Sequence, residues 1–205
     1  MTWQSQGYHR RSIFPLLAKL PTSLAGRLTL WIWTIPLPSF GICLAVEDWF
    51  VSRDLAEKIR LGLEELATVR EQLTPLISLP LDASVGVIER AAACAMLHSF
   101  YTEIEKILKL IAREWDGQMP SSDAWHKDLL NQMSEATGRR PAILSPTLVE
   151  VLGEFLAFRH LFRGASIALM RWEKLSPLVA KVGRTYDQTE AEIGAFVRFI
   201  EGRPE

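Results

Sequence analysis

Residues 97–111 read Leu-His-Ser-Phe-Tyr-Thr-Glu-Ile-Glu-Lys-Ile-Leu-Lys-Leu-Ile. Apolar side chains in this stretch recur at steps of three and four, the spacing that places them on one face of an α-helix. The apolar positions are Leu97, Phe100, Tyr101, Ile104, Ile107, Leu108 and Ile111. Nowhere does the chain alternate apolar and polar residues over the length of a β-strand. The sequence therefore predicts an all-α protein.

Two predicted helices account for the first half of the regular pattern. An apolar face recurs from Ser52 onward, and Thr74-Pro75 marks its end. Asp82 or Ser84 provides an N-cap for a second helix, which carries the stretch quoted above and continues to about Trp115.

Three more predicted helices follow. The third starts at Ser121 or Ser122 and stops by Gly138. Ser145-Pro146 places a serine at the N-cap and a proline at the first helical position, which predicts the start of the fourth helix. Ser176-Pro177 repeats that signature for the fifth. The expected architecture is a bundle of about five helices.

Residues 1–50 differ from the helical domain expected over residues 51–205. Residues 28–46 contain no charged side chain, a length just sufficient for a bilayer span of about 20 residues. Pro36 and Pro38 weaken this stretch as a helix. Three interpretations stay open for this N-terminal extension: a spurious or disordered segment before the true start, a membrane anchor, or a signal sequence.

Composition narrows the function classes. The formal net charge of −1 gives no global basic excess, so contact with a nucleic acid would depend on a local cluster of Lys and Arg. The two cysteines, Cys43 and Cys94, form neither a metal-binding pair nor a disulfide framework. We expect a reducing compartment and a cytoplasmic location, with membrane anchoring through the N-terminal segment as the alternative, and we expect no metal site.

Residues 155–166 combine charge with an apolar run. Arg159, His160 and Arg163 stand among phenylalanine, leucine and alanine, where an unpaired buried charge would be costly. On a helix, Arg159 and Arg163 lie one turn apart, and His160 and Gly164 lie one turn apart on the neighbouring face. This pattern is typical of a functional site or a dimer interface.

Two interpretations of the arginines stay open. Arg159, Arg163 and Arg171 would form a patch that binds RNA phosphates, or they would pair with nearby carboxylates at helical spacing. The carboxylates in question are Glu150, Glu154 and Glu173.

Other polar residues favour structural roles. His98, Tyr101 and Glu105 follow one another at helical spacing, and a hydrogen-bonded interior cluster is preferred there over a metal site or a proton relay. His126, which follows Trp125, is expected to pack or to cap its helix rather than to act in catalysis.

Three blocks of the sequence, residues 97–107, 125–130 and 158–163, resemble the successive blocks of HepT-like proteins, which belong to the HEPN group. The resemblance runs over about residues 52–201. It implies a helical bundle that forms a homodimer, with two copies of the fourth helix at a shared cleft. It also implies metal-independent ribonuclease activity without a cofactor. The implied role is that of a toxin, whose partner is a nucleotidyltransferase antitoxin that modifies a tyrosine of the toxin.

The active-site pattern of that family is Arg, four to six residues, His, one residue, Tyr. Arg159 matches the arginine, but Gly164 stands at the position of the histidine and Ser166 at that of the tyrosine. His160 is the candidate substitute base, and the Ser166 hydroxyl is the candidate acceptor of a nucleotide. The sequence thus predicts a HepT-like ribonuclease of impaired activity or, alternatively, a non-catalytic helical dimer that acts as an interaction module.

Overall fold

The computed structural model describes residues 40–79, 85–164 and 170–202, with side chains from residue 52 onward. These residues contain five α-helices and no β-strand. The helices are α1 (Phe40–Ile77), α2 (Val87–Glu114), α3 (Trp125–Ser134), α4 (Pro146–Gly164) and α5 (Trp172–Ile200). The predicted all-α fold of about five helices is confirmed.

The chain divides into two compact units, residues 1–47 and 48–205. The predicted boundary at residue 50 stays a prediction, because most of residues 1–50 lies outside the described residues. None of the helices in the described residues is long and apolar enough to span a membrane. Most of the charge-free stretch 28–46 falls outside that part of the chain.

Helix α2 is the central element of the second unit. It contacts α3, α4 and α5, and α4 in turn contacts α3 and α5. All seven apolar positions of the stretch 97–111 named above are buried. The ring of Phe100 packs against Phe155 of α4, with centroids 5.3 Å apart. Burial of this stripe fixes α4 beside α2 and so determines which polar side chains meet between them.

Helix α1 packs on the same core through its own apolar face. Leu55, Ile59, Leu66 and Leu73 are fully buried. Gly62 lies against Ile107 of α2, where even a Cβ atom would approach the isoleucine side chain to 2.8 Å. The absence of a side chain at residue 62 therefore permits a close approach of α1 to α2.

The helix boundaries show where local signals succeed and fail. Helix α4 begins at Pro146 as predicted, and the Ser145 hydroxyl accepts a hydrogen bond from the Leu148 N–H at 3.3 Å. The same signature at Ser176-Pro177 was a wrong prediction, because α5 begins at Trp172 and contains Pro177. Trp172 and Leu175 are buried and extend the apolar face by a full turn, which outweighs the one backbone hydrogen bond that Pro177 cannot donate.

The other helix boundaries differ from those predicted from the sequence. Helix α1 begins at Phe40 rather than Ser52 and runs past Pro75 to Ile77. Helix α3 is shorter than predicted, since the preceding residues form a turn in which Trp125 N–H donates to the Ser122 carbonyl at 3.1 Å. The predicted caps Asp82 and Ser84 lie outside the described residues.

Candidate functional site

Three polar side chains from three helices meet inside the bundle. Glu105 of α2, whose side chain is 4% exposed, lies with Oε2 2.7 Å from Nδ1 of His126 in the first turn of α3. Arg159 of α4 places Nη2 3.6 Å from Glu105 Oε1 and Nη1 3.4 Å from His126 Nε2. We call Glu105, His126 and Arg159 the polar cluster. It joins α2, α3 and α4 through polar contacts.

Neighbouring side chains fix the imidazole of His126. The Trp125 ring stacks on it with centroids 3.5 Å apart. Lys109 lies one turn after Glu105, with Nζ 3.9 Å from Glu105 Oε1 and 5.2 Å from the centroid of the Trp125 ring. The cation thus contacts both the carboxylate and the aromatic face that covers the histidine.

The protonation of His126 follows from its surroundings. Burial lowers the pKa of His126 more than the hydrogen bond to Glu105 raises it, and the charge of Arg159 lowers it further. His126 is therefore neutral at neutral pH, and its contact with Glu105 is a hydrogen bond from a neutral imidazole rather than an ion pair. Because the carboxylate accepts from Nδ1–H, the unprotonated nitrogen is Nε2, which faces Arg159.

Arg159 is held loosely within the polar cluster. Its two contacts, at 3.4 and 3.6 Å, are longer than the 2.7–2.9 Å that is typical of charge-assisted hydrogen bonds. Its Nε is buried and has no hydrogen-bond partner among the described residues. The side chain is 12% exposed. The guanidinium therefore retains donors for a further acceptor such as a phosphate oxygen.

His98 lies beside the polar cluster without joining it. Its ring packs on Phe162 with centroids 5.3 Å apart, and its Nδ1 is buried with no hydrogen-bond partner in the described part of the chain. Burial lowers the pKa of His98, and the charges of Arg159 and Arg163 lower it further. The predicted hydrogen-bonded cluster is therefore wrong for His98.

His160 and Gly164 lie on the open side of α4. His160 is exposed, and its ring centroid is 5.3 Å from that of His126 at an interplanar angle of 80°. Gly164 is the last residue of the helix, and a Cβ placed on it would meet no described atom within 4 Å. No described atom therefore occupies the space that a side chain at residue 164 would take.

A family model described as HepT-like protein matches residues 92–200. The chain belongs to the HepT-like family. No curated protein and no solved structure matches it. The matched region begins within α2 and ends with α5, so it contains the whole polar cluster of this HepT-like protein.

The remaining predicted site residues fall in different places. Arg163 is exposed on the last turn of α4. Arg171 is the N-cap of α5, and its Nε lies 3.4 Å from Glu173 in a largely exposed ion pair. None of the contacts among the described residues joins Arg171 to the polar cluster. Ser166 lies in the segment 165–169, outside the described residues.

The sequence analysis left open that the three arginines pair with nearby carboxylates at helical spacing, and the structure shows such pairing only in part. Arg171 pairs with Glu173, but Glu154 pairs with Lys181 of α5 at 2.5 Å. Arg159 makes its ionic contact with Glu105 of another helix rather than along its own.

Glu105 and His126 belong to the polar cluster of this HepT-like protein, although the sequence does not single them out as candidate site residues. The sequence predicts that Glu105 lies in an interior cluster with His98 and Tyr101 and that His126 packs or caps its helix. His126 does pack on Trp125, yet its two ring nitrogens face Glu105 and Arg159. The available signal was a glutamate within an otherwise buried helix face, since a buried carboxylate needs a partner.

No group of three or more His, Cys, Asp or Glu side chains in the described residues is arranged to hold a metal ion. The polar cluster presents, instead, a guanidinium beside an oriented imidazole. Such a pair can bind a phosphate and exchange a proton.

Proposed function

We propose that this HepT-like protein is a metal-independent ribonuclease of the toxin type, with cleavage weakened by the glycine at residue 164. The observation that carries the proposal is the placement of Arg159, which lies beside an imidazole and has a buried donor without a partner. Arg159 would bind the scissile phosphate, and Arg163 and Arg171 would contact flanking phosphates.

The chemistry explains why the activity would be weak. Cleavage of RNA without a metal requires deprotonation of the 2′-hydroxyl and stabilisation of the charge that develops on phosphorus. Loss of a positioned acid or base typically costs about 10²–10⁴-fold in rate. Gly164 has no side chain and can do neither task. A neighbouring histidine would have to transfer the proton instead, and the sequence analysis names His160 as that candidate.

The proposed setting is that of a toxin–antitoxin pair in the cytoplasm. The functional form would be a homodimer, with two copies of α4 facing a shared cleft. Leu161, which is 58% exposed beside His160, would lie at that cleft. A nucleotidyltransferase antitoxin is the proposed partner, with Ser166 as the acceptor that replaces the usual tyrosine.

The test is cleavage of total RNA by the purified full-length protein in EDTA. We expect slow cleavage by the parent protein, loss of cleavage in Arg159→Ala, and a gain of about 10²-fold or more in Gly164→His. Gly153→His is the matched control, because it adds a histidine to the same helix at a position where a Cβ also meets no described atom within 4 Å. Cleavage by none of these proteins would contradict the proposal.

The second candidate function is a non-catalytic helical dimer that serves as an interaction module. It is favoured by the engagement of Arg159 with Glu105 and His126 inside the bundle, since these contacts would let the arginine serve structure alone. An inert Gly164→His variant that still forms a dimer in analytical ultracentrifugation would support this candidate.

A further inference from the structure

We propose that His126 is the general base of this site and that His160 is the acid that protonates the leaving group. Two histidines from α3 and α4 would then replace the one that is absent at Gly164. This inference rests on the proposed ribonuclease function and assigns its catalytic residues.

The orientation of His126 is the first support. Glu105 accepts its Nδ1–H at 2.7 Å, which fixes both the ring and the tautomer and leaves Nε2 as the free base. An imidazole oriented by a buried carboxylate through one nitrogen is the arrangement that general bases use in enzymes. Among the described residues, no hydrogen bond orients His160, so His126 is the better positioned base.

The second support is the neighbour of the free nitrogen. Nη1 of Arg159 lies 3.4 Å from Nε2 of His126. The proposed base is therefore in contact with the arginine that would bind the phosphate. When Arg159 turns to a phosphate, it releases Nε2. The 2′-hydroxyl of the same nucleotide is joined to that phosphate through only a few covalent bonds, and it would then be the nearest proton donor.

His160 provides the third support. It is exposed, and its ring lies edge-on to that of His126 with centroids 5.3 Å apart. Histidine is the side chain that gains and loses a proton near neutral pH. The two imidazoles are therefore close enough to reach one bound phosphodiester, with one accepting a proton and the other donating one.

The reaction balances with these two residues alone. Nε2 of His126 takes the proton of the 2′-hydroxyl, and the 2′-oxygen forms a bond to phosphorus. The bond from phosphorus to the 5′-oxygen breaks, and that oxygen takes a proton from His160. The products carry a 2′,3′-cyclic phosphate and a 5′-hydroxyl. DNA has no 2′-hydroxyl and would not be cleaved.

The charged and titratable groups around His126 come from two helices. Helix α2 contributes Glu105 and Lys109, and α4 contributes Arg159 and His160. The pKa of His126 is lowered by burial and by both α4 residues, and it is raised by Glu105. The base form is thus the form present at neutral pH. We expect a rate that rises as His126 loses its proton.

The experiment compares two substrates in EDTA with the full-length protein. One is a short RNA, and the other is uridine 3′-(4-nitrophenyl phosphate), whose leaving group departs without a proton. We expect His126→Asn to lower the rate on both substrates by about 10²-fold or more. His160→Ala should lower the rate on RNA by a similar factor and leave the nitrophenyl substrate within about threefold of the parent.

The variants separate catalysis from folding. Asn at residue 126 keeps an N–H for Glu105, so thermal unfolding should stay close to that of the parent protein. His98→Asn is the matched control, because it alters another partly buried histidine that makes no hydrogen bond to the polar cluster. It should cleave both substrates at about the parental rate.

Each outcome has a definite meaning. An active parent protein together with a fully active His126→Asn variant would overturn this inference and leave the ribonuclease function standing. Equal losses on both substrates in His160→Ala would overturn the role of His160 as the acid. A parent protein inert on both substrates would contradict the proposed function, and this inference with it.

Discussion

Oε2 of Glu105 lies 2.7 Å from Nδ1 of His126, so a carboxylate in the middle of α2 orients an imidazole in the first turn of α3. Arg159 of α4 contacts both residues. Since these residues come from three helices, the polar cluster links packing of the bundle to the geometry of the proposed site.

Replacing Glu105 by Gln should weaken both stability and the orientation of His126. The change leaves the largely buried guanidinium of Arg159 without its carboxylate, so the free energy of unfolding should fall by about 1–3 kcal/mol. The pKa of His126 should also fall further, because Glu105 raises it in the parent protein. Urea denaturation and an NMR titration of the histidines measure the two effects.

Glu103→Gln is the control for that substitution. Glu103 lies on the same helix and pairs with Lys106, whose side chain is mostly exposed, so its loss should cost less than about 1 kcal/mol. Equal destabilisation by the two variants would show that Glu105 has no special role in the polar cluster.

Acidification should destabilise the bundle in the range where histidines titrate. Burial lowers the pKa of both His98 and His126, so the unfolded chain binds protons more tightly than the folded one at these positions. Their contribution to stability is complete above about pH 6.5, the unfolded value for histidine. This contribution is lost as the pH falls below about 6.5 and through the lower pKa values that the two histidines have in the folded protein.

Thermal unfolding between pH 8 and pH 5 tests this expectation. The melting temperature should be nearly constant above about pH 7 and fall below about pH 6.5. His126→Asn should show a shallower decline, because it removes one of the two titrating groups. A melting temperature that stays constant down to pH 5 would contradict the neutral state assigned to both histidines.

Much of the fold was predictable because apolar periodicity is a local property. The stripe from Leu97 to Ile111 identifies α2, and its burial is observed in full. Ser145-Pro146 and Ser176-Pro177 carry the same start signal, yet only the first begins a helix. At the second site the helix begins earlier, at Trp172, because that side chain is buried in the tertiary structure. Local sequence rules do not include such burial.

The candidate site was predictable only where its signal is local. Arg159 and His160 stand out as charged or titratable residues in an apolar run. The hydrogen bond from His126 to Glu105 spans 21 residues of sequence and depends on how α3 packs on α2. Periodicity shows which face of each helix is buried but not which polar side chains meet across the contact, so this pair required the structure.

A second buried pair should contribute more to stability than any surface ion pair. The fully buried guanidinium of Arg140 donates to Asp116 through Nε at 2.8 Å and Nη2 at 2.7 Å, and it also donates to the Gln132 and Glu135 carbonyls. Burial raises the pKa of Asp116, but the hydrogen bonds from Arg140 and Gln132 outweigh it and keep that pKa below its usual value. Asp116 is therefore ionised and compensates the buried cation.

Asp116→Ala should lower the free energy of unfolding by about 3–5 kcal/mol, since it leaves a buried guanidinium without its counter-charge. Glu173→Ala is the matched control, because Glu173 pairs with Arg171 where both side chains are largely exposed. That variant should cost less than about 1 kcal/mol. Chemical denaturation of the two variants measures the difference, and a small cost for Asp116→Ala would mean that Arg140 finds water instead.

Two glycines in helices should respond in opposite directions to alanine. A Cβ on Gly62 of α1 would lie 2.8 Å from Cγ1 of Ile107, whereas a Cβ on Gly183 of α5 would meet no described atom within 4 Å. Gly62→Ala should therefore destabilise by about 1–3 kcal/mol, because α1 must move away from α2 or Ile107 must leave its preferred rotamer. Gly183→Ala should stabilise by about 0.5–1 kcal/mol, since alanine restricts the unfolded chain and favours the helix. Urea denaturation of both variants decides the matter, and stabilisation by Gly62→Ala would show that α1 and α2 are packed less closely than the contact at Ile107 requires.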